Sequence, residues 1–138
     1  MIVVPSGERE LAWCQQFYQK RSMIVTADAH WLVWSTLGTP QWVIAFDAWM
    51  GSTCQLSMAS RHPSPPARAL IKATFRHGFG VLKRTHMFGF VNSTNISAMK
   101  LDQWLGFREI YRVPKAHENS GDIVVFDMTP AECRWLKD

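Results

Sequence analysis

The sequence has 138 residues, a length that suits one folded domain and leaves no room for a second. A hydrophobic content of 47% and a charged content of 19% exclude an intrinsically disordered chain. The formal net charge of +4 comes from lysines and arginines spread along the chain, so the charge pattern predicts no nucleic-acid partner.

Cysteine, histidine and apolar spacing exclude several further classes of protein. The three cysteines form no C-x-x-C pair, which argues against a disulfide framework or a zinc knuckle. The five histidines show neither H-x-x-x-H nor H-E-x-x-H spacing, so no metal site is expected. No apolar run reaches the ~18 residues of a membrane span, and the N-terminus does not resemble a signal peptide. We therefore expect a cytoplasmic protein with no membrane partner.

The first half of the chain predicts a strand, a helix and three further strands. Residues 2–4 are all β-branched, and residues 8–20 place apolar side chains at helical spacing behind an acidic first turn. Three runs rich in aromatic and β-branched residues follow, separated by glycine turns, which predicts an antiparallel meander. These runs are residues 30–34, 42–46 and 53–59.

The second half begins with a helix that follows the only proline-rich stretch. Ser64 is expected to be its N-cap and Pro65 its first residue, and Gly78 is expected to end it. A strand at residues 87–91 and a second helix at residues 96–105 come next.

The remaining boundaries are indicated by capping residues. Side chains that cap helices occupy residues 92–95, and Gly106 ends the helix that they begin. Residues 108–113 and 122–128 predict paired strands, and residues 129–132 form a capping box before a short final helix. The order mixes a meander with strand-helix-strand crossovers, which indicates a mixed α/β domain.

The segment at residues 91–107 joins a strand, an asparagine-led helix and the tripeptide Leu105-Gly106-Phe107, and it resembles a signature of the GNAT N-acetyltransferases. Residues 67–71 are similar to the start of the helix after the family's fourth strand. The resemblance implies one domain over residues 1–138, with a central, mostly antiparallel sheet flanked by helices. It also implies an acetyl-CoA-dependent enzyme that acetylates a primary amine of a small molecule or a protein.

The resemblance further implies where the cofactor would bind. The family holds pantetheine between its fourth and fifth strands and the pyrophosphate at the N-terminus of the next helix, where free backbone N–H groups attract anions. By position, the pantetheine strand would consist of Leu56, Ser57, Met58, Ala59 and Ser60. The phosphate loop would contribute Arg61, His62, Ala67 and Arg68, and Asn95 would contact the far arm.

The proposed phosphate loop departs from the glycine-rich family pattern. Pro65 and Pro66 have no backbone N–H and cannot adopt a positive φ, so two possible phosphate donors are missing. The charges of Arg61 and Arg68 offer partial compensation. Two interpretations stay open, a working phosphate loop and a proline-started helix with no ligand.

Candidate catalytic groups also follow from the resemblance and from residue type. The family's general acid is commonly a tyrosine on the helix before Leu-Gly-Phe, and the matching residue here is Asp102. A carboxylate is a poor acid at neutral pH unless burial raises its pKa, so Asp102 is expected to be a solvated helix residue, with Ser97 and Tyr111 as alternatives. The candidate bases are Asp47 on the strand before the pantetheine strand and His30, which is expected near the substrate side.

Two functions fit these observations. One is acetyl transfer, and the other is a catalytically inactive structural or protein-interaction module of GNAT fold whose tryptophans form a partner surface. The loop at residues 62–67 discriminates them, because only the enzyme needs free backbone donors there. The acceptor pocket is expected from the loops at residues 22–30 and 114–121, and the tryptophan content is compatible with a homodimer.

Overall fold

The computed structural model describes residues 1–117 and 120–137 of the chain. The described residues form seven strands and three α-helices. The strands are β1 (Ile2–Val3), β2 (His30–Thr36), β3 (Thr39–Met50), β4 (Thr53–Ser60), β5 (His86–Asn92), β6 (Arg108–Val113) and β7 (Ile123–Met128). The helices are α1 (Glu8–Gln19), α2 (Arg68–Phe75) and α3 (Ile96–Leu105).

One sheet contains all of these strands in the order β1-β2-β3-β4-β5-β7-β6. Strands β2, β3 and β4 pair antiparallel in succession, which confirms the predicted meander, although β3 is longer than its apolar run. The only parallel neighbours among the described strands are β4 and β5. The expected mostly antiparallel sheet is therefore confirmed.

The sheet separates two hydrophobic cores, because successive strand residues point to opposite faces. On β3, Ile44 and Phe46 are fully buried against α2 and α3, whereas Val43 and Ala45 are fully buried against α1. Burying one large apolar side chain contributes about 1.5–3 kcal/mol to the free energy of unfolding. The middle of β3 therefore stabilises the packing of the helices on both faces of the sheet.

Helix α2 begins three residues later than the sequence predicts. Its N-cap is Ala67, which has an extended backbone, and not Ser64. The prediction that Pro65 is the first helical residue was wrong, because a residue that precedes a proline is disfavoured in helical conformation and both Ser64 and Pro65 precede one. The loop after β4 is therefore not helical before Ala67, whose own backbone is extended.

The predicted glycine stop at Gly78 was also wrong. The chain continues beyond α2 as a π-helix at Arg76–Val81, and Gly78 is buried within it. A Cβ on Gly78 would lie 2.5 Å from the sulfur of Met87 and 3.0 Å from a ring carbon of Phe46. Glycine is thus used here for a close approach to the sheet, a tertiary requirement that local sequence does not reveal.

The predicted limits of α3 are confirmed, and so are the residues predicted to cap its two ends. Asn95 Oδ1 accepts a hydrogen bond from the Ala98 N–H at 3.2 Å, and Gly106 adopts a left-handed φ of 106°. The capping box formed by Thr129 and Glu132 is present, but it begins two short 3₁₀ turns and no α-helix. The Trp135 indole N–H donates to the Leu105 carbonyl at 2.7 Å, which fixes these turns against the end of α3.

Candidate active site

The β4 and β5 strands separate to form a cleft. They pair only at three positions, the last being Gln55 with Phe88, and diverge beyond it. The space between them has a volume of about 500 Å³ and is closed on one side by α3 and on another by the turn after α1. Its lining includes Gly89 and Phe90 from β5 and the segment at residues 21–24.

The edge of β4 that faces this cleft carries backbone groups available to a ligand. Residues 56–60 remain paired with β3, but among the described strands no neighbour pairs with them on the β5 side. An extended ligand with amide groups can take the place of the missing strand and pair with this edge. The divergence therefore creates a linear binding surface along β4.

Three of the five predicted strand residues line the cleft, namely Leu56, Ser57 and Met58. Ala59 does not line it and is buried in the core beneath α1. The Ser60 carbonyl accepts a hydrogen bond from Arg21 Nε at 3.3 Å, which joins the end of β4 to the end of α1.

The predicted phosphate loop divides between two places. Arg61 and His62 line a separate cleft beside α1, and neither lines the cleft between β4 and β5. Arg68 begins α2 and places its guanidinium carbon 5.7 Å from the Trp135 ring centroid. The first hydrogen bond into α2 runs from the Ile71 N–H to the Ala67 carbonyl at 3.1 Å.

The N-terminus of α2 consequently has free donors in spite of the prolines. The N–H groups of residues 68–70 precede the first intrahelical bond, and within the described chain no side chain caps them. Pro65 and Pro66 lie before these donors in the chain. The loss of their N–H groups therefore does not remove the anion-binding end of the helix.

Asn95 lines the cleft at the start of α3. Its side-chain oxygen accepts one hydrogen bond from the Ala98 N–H, and its amide NH₂ group makes no hydrogen bond to another described residue. Asn95 thus lines the cleft with part of its hydrogen-bonding capacity committed to the helix.

Asp102 faces the cleft from α3, which contradicts the expectation of a solvated helix residue. Burial raises the pKa of its carboxyl from an ordinary 3.8 to about 7. The close approach depends on Gly89, because a Cβ at that position would lie 3.1 Å from Asp102 Oδ2. The carboxyl therefore carries a proton on a substantial fraction of molecules at neutral pH.

The alternative acids lie elsewhere. Tyr111 is on the edge strand β6 with 63% of its side chain exposed, and it is outside the cleft lining. Ser97 is exposed in the first turn of α3 and does not line the cleft either.

The candidate bases do not line the cleft either. Asp47 is buried on the α1 side of β3, where its Oδ2 accepts the Thr26 N–H at 2.9 Å and burial raises its pKa. His30, which was expected near the substrate side, does not line this cleft. Its Nε2 lies 2.7 Å from His77 Nε2, because β2 begins beside the π-helix that follows α2.

The cleft also contains residues that sequence reasoning did not single out. Arg21, Phe90 and His117 line it; Arg21 directly precedes one of the loops expected to hold the acceptor, and His117 lies within the other. Phe90 is 52% exposed, an uncommon state for a phenylalanine in a strand. Phe90 belongs to a strand that the sequence predicts, but its exposure depends on the divergence of β4 and β5, for which the sequence has no local signal.

The described residues include neither a cluster that could hold a metal ion nor a helix that could cross a membrane. Among the described residues, no group of three or more His, Cys, Asp or Glu side chains is arranged to hold a metal ion. No helix in residues 1–117 and 120–137 is long and apolar enough to cross a bilayer.

Comparison with known proteins finds similarity in fold but none in sequence to a family model or a curated protein. No protein-family model matches the sequence, and no curated protein matches it. Solved structures do match. The F149A mutant of spermidine N-acetyltransferase SpeG from Vibrio cholerae aligns with a TM-score of 0.78 at 13% identity, over 99% of this chain and 98% of that chain.

Two further structures support the same assignment of fold. The structure of yncA from Salmonella typhimurium with its cofactor acetyl-CoA has a TM-score of 0.73 at 12% identity, over 94% of this chain and 92% of that chain. Ribosomal-protein-alanine N-acetyltransferase from Brucella melitensis has a TM-score of 0.73 at 11% identity, over 94% and 99% respectively. Together with the splayed β4 and β5 strands, these similarities show that the chain has the GNAT acetyltransferase fold.

Proposed function

We propose that this protein is an N-acetyltransferase that moves the acetyl group of acetyl-CoA to a primary amine. The observation that carries the proposal is the cleft between β4 and β5, with the raised-pKa carboxyl of Asp102 facing it. A catalytic group whose pKa is shifted toward neutrality inside a cleft is typical of an active site.

The residues present fit the cofactor in two respects. The β5-facing edge of residues 56–60, apart from the Ser60 carbonyl that accepts a hydrogen bond from Arg21, offers backbone groups to the two amides of the pantetheine arm. The N–H groups of residues 68–70, with the helix dipole of α2, offer donors to the pyrophosphate. The strand and the helix start are joined by the loop at residues 61–67, so one extended molecule can meet both.

Bound acetyl-CoA supplies an activated thioester carbonyl for attack by the amine. In the proposed reaction a bond forms between the amine nitrogen and the acetyl carbon, and the bond from that carbon to sulfur breaks. The nitrogen loses one proton and the leaving sulfur gains one. Asp102 in its neutral form donates the proton to sulfur, because its carboxyl faces the cleft and holds a proton at neutral pH.

The acceptor end of the cleft is formed by the turn after α1 and by β5. Met23 and Ile24 contribute apolar surface there, Phe90 contributes an exposed ring, and Arg21 bounds the opening. Holding an amine in this part of the cleft supplies proximity, which lowers the barrier even without a dedicated base. The acceptor is therefore proposed to be an amine that carries an apolar group.

Calorimetric titration with acetyl-CoA tests the proposal first. We expect binding in the micromolar range, followed by acetylation in a screen of amines that carry apolar groups. Asp102→Asn should bind acetyl-CoA as the wild type does but lower kcat about 100-fold or more. Glu8→Gln, which removes an exposed carboxyl from α1, is the matched control and should leave kcat unchanged. Absence of binding at millimolar acetyl-CoA would refute the proposed function.

A further inference from the structure

A second cleft of about 420 Å³ lies between the C-terminal half of α1 and the loop that follows β4. Its walls combine basic side chains with aromatic rings. The basic residues are Lys20, Arg21, Arg61 and His62, and the rings belong to Trp13 and Phe17. No carboxylate occurs among the described residues that line it, so the cleft has a positive electrostatic potential that favours an anion.

The aromatic wall offers a flat surface to a planar group. The ring centroids of Trp13 and Phe17 are 5.3 Å apart and their planes meet at 37°. Phe17 is buried, and the Arg21 guanidinium lies 3.5 Å from its ring centroid. Trp13, by contrast, is 38% exposed, so its indole has surface left for stacking with a ligand ring.

The basic wall is partly fixed in place. Arg21 Nε donates to the Ser60 carbonyl, and its NH1 donates to the Phe17 carbonyl at 2.9 Å. The Arg61 N–H donates to the Gln41 carbonyl at 2.8 Å, which holds the start of the loop beside β3. The side chains of Lys20 and Arg61 are exposed at the rim, where they can meet a phosphate.

We propose that this second cleft binds a phosphorylated nucleoside, with its base on Trp13 and its phosphate between Lys20 and Arg61. The volume is within the ~300–1,000 Å³ of small-molecule sites. A plain anion would use the basic wall and leave the exposed indole without a role. An uncharged aromatic compound would leave the cations unpaired. A nucleoside phosphate uses both walls.

Such a group has two sources. It is either a free nucleotide or the 3′-phosphoadenosine end of the CoA proposed above. The second source has geometric support, because Arg21 lines both clefts and Arg61 directly follows the β4 strand. Only that second assignment rests on the proposed function. The nucleotide site itself does not.

The test is calorimetric titration with adenosine 3′,5′-bisphosphate, with adenosine and inorganic phosphate titrated separately. We expect the bisphosphate to bind at least tenfold more tightly than either fragment, and its affinity to fall as salt is added. The double variant Lys20→Gln, Arg61→Gln should weaken it at least tenfold, and so should Trp13→Leu. Arg9→Gln removes one positive charge from the exposed first turn of α1 and should change nothing.

The affinities of the same variants for the bisphosphate can also refute the proposal. It is overturned if the bisphosphate fails to bind at millimolar concentration, or if it binds equally well to the double variant. Because both substituted side chains are exposed, loss of folding does not obscure that result. If the double variant binds both acetyl-CoA and the bisphosphate as tightly as the wild type does, the nucleotide site is refuted and the acetyltransferase proposal is unaffected.

A competition experiment identifies the source. If saturating acetyl-CoA prevents the bisphosphate from binding, the second cleft holds the nucleotide end of the cofactor. In that case dephospho-CoA should bind more weakly than CoA to the wild type, whereas the double variant should bind the two equally. If the bisphosphate still binds with unchanged affinity, the site serves a separate nucleotide. If it binds while acetyl-CoA does not bind at all, the nucleotide site stands and the proposed function fails.

Discussion

Replacing Asp102 by asparagine should stabilise the folded protein at pH 8. Burial raises the pKa of this carboxyl from 3.8 to about 7, so the folded chain holds the proton more tightly than the unfolded chain does. The free energy of unfolding must then decrease as pH rises between about 4 and 7. At ~1.4 kcal/mol for each pH unit, the ionised carboxylate costs at most about 4 kcal/mol above pH 7, and asparagine avoids this cost.

Urea unfolding of wild type and variant at pH 4 and pH 8 measures the effect directly. The difference in unfolding free energy should be close to zero at pH 4 and should favour the variant by a few kcal/mol at pH 8. Glu8→Gln, an exposed carboxyl, should show a difference below about 0.5 kcal/mol at both pH values. A variant that gains the same stability at pH 4 as at pH 8 would show that Asp102 is not held in an environment that disfavours its charge.

Two further predictions concern the π-helix. Gly78→Ala should lower the unfolding free energy by about 1–3 kcal/mol, because the new Cβ would lie 2.5 Å from a buried methionine sulfur, whereas Gly80→Ala has no atom within 4 Å and should be nearly neutral in the same thermal melt. The pKa values of His30 and His77 are lowered chiefly by burial, so the stability of the neutral pair is present above pH 6.5 and is lost as pH falls below it. His77→Gln should reduce that loss in melts between pH 5 and pH 7, and an unchanged pH dependence would contradict this role.

Local sequence is sufficient where one side chain determines a helix boundary. Asn95 caps α3 with its own side chain, and Gly106 supplies the left-handed residue that ends it, so both limits of the helix were predicted correctly. Ser64 resembles an N-cap, but each of the two following prolines disfavours a helical conformation at the residue before it, so α2 begins only after Ala67.

Other features depend on contacts between distant parts of the chain. Gly78 resembles a helix stop, and only the position of Met87 shows why glycine is needed there. His30 and His77 are 47 residues apart, so their hydrogen bond has no local signal. The cleft position of Leu56, Ser57 and Met58 was implied by family resemblance, since their own side chains are ordinary strand residues.

Asp102 shows most clearly why a site is harder to predict than a fold. Aspartate on an amphipathic helix normally faces water, and nothing in the surrounding sequence distinguishes this one. Its pKa depends on Gly89 of β5, which admits the carboxyl by having no side chain of its own. The relation between these two residues exists only after α3 has packed on the sheet.

The two unfavourable features of the fold occur at the same place. The sheet leaves β4 backbone groups unpaired by ending its contact with β5 after three residues, and α3 buries a carboxyl beside the gap that results. Each feature lowers the stability of the free protein, and a longer parallel ladder with a neutral residue at position 102 would avoid both. Sequences retain such local costs mainly where a ligand benefits from them. Their coincidence at one cleft therefore indicates a functional site even though no sequence family identifies it.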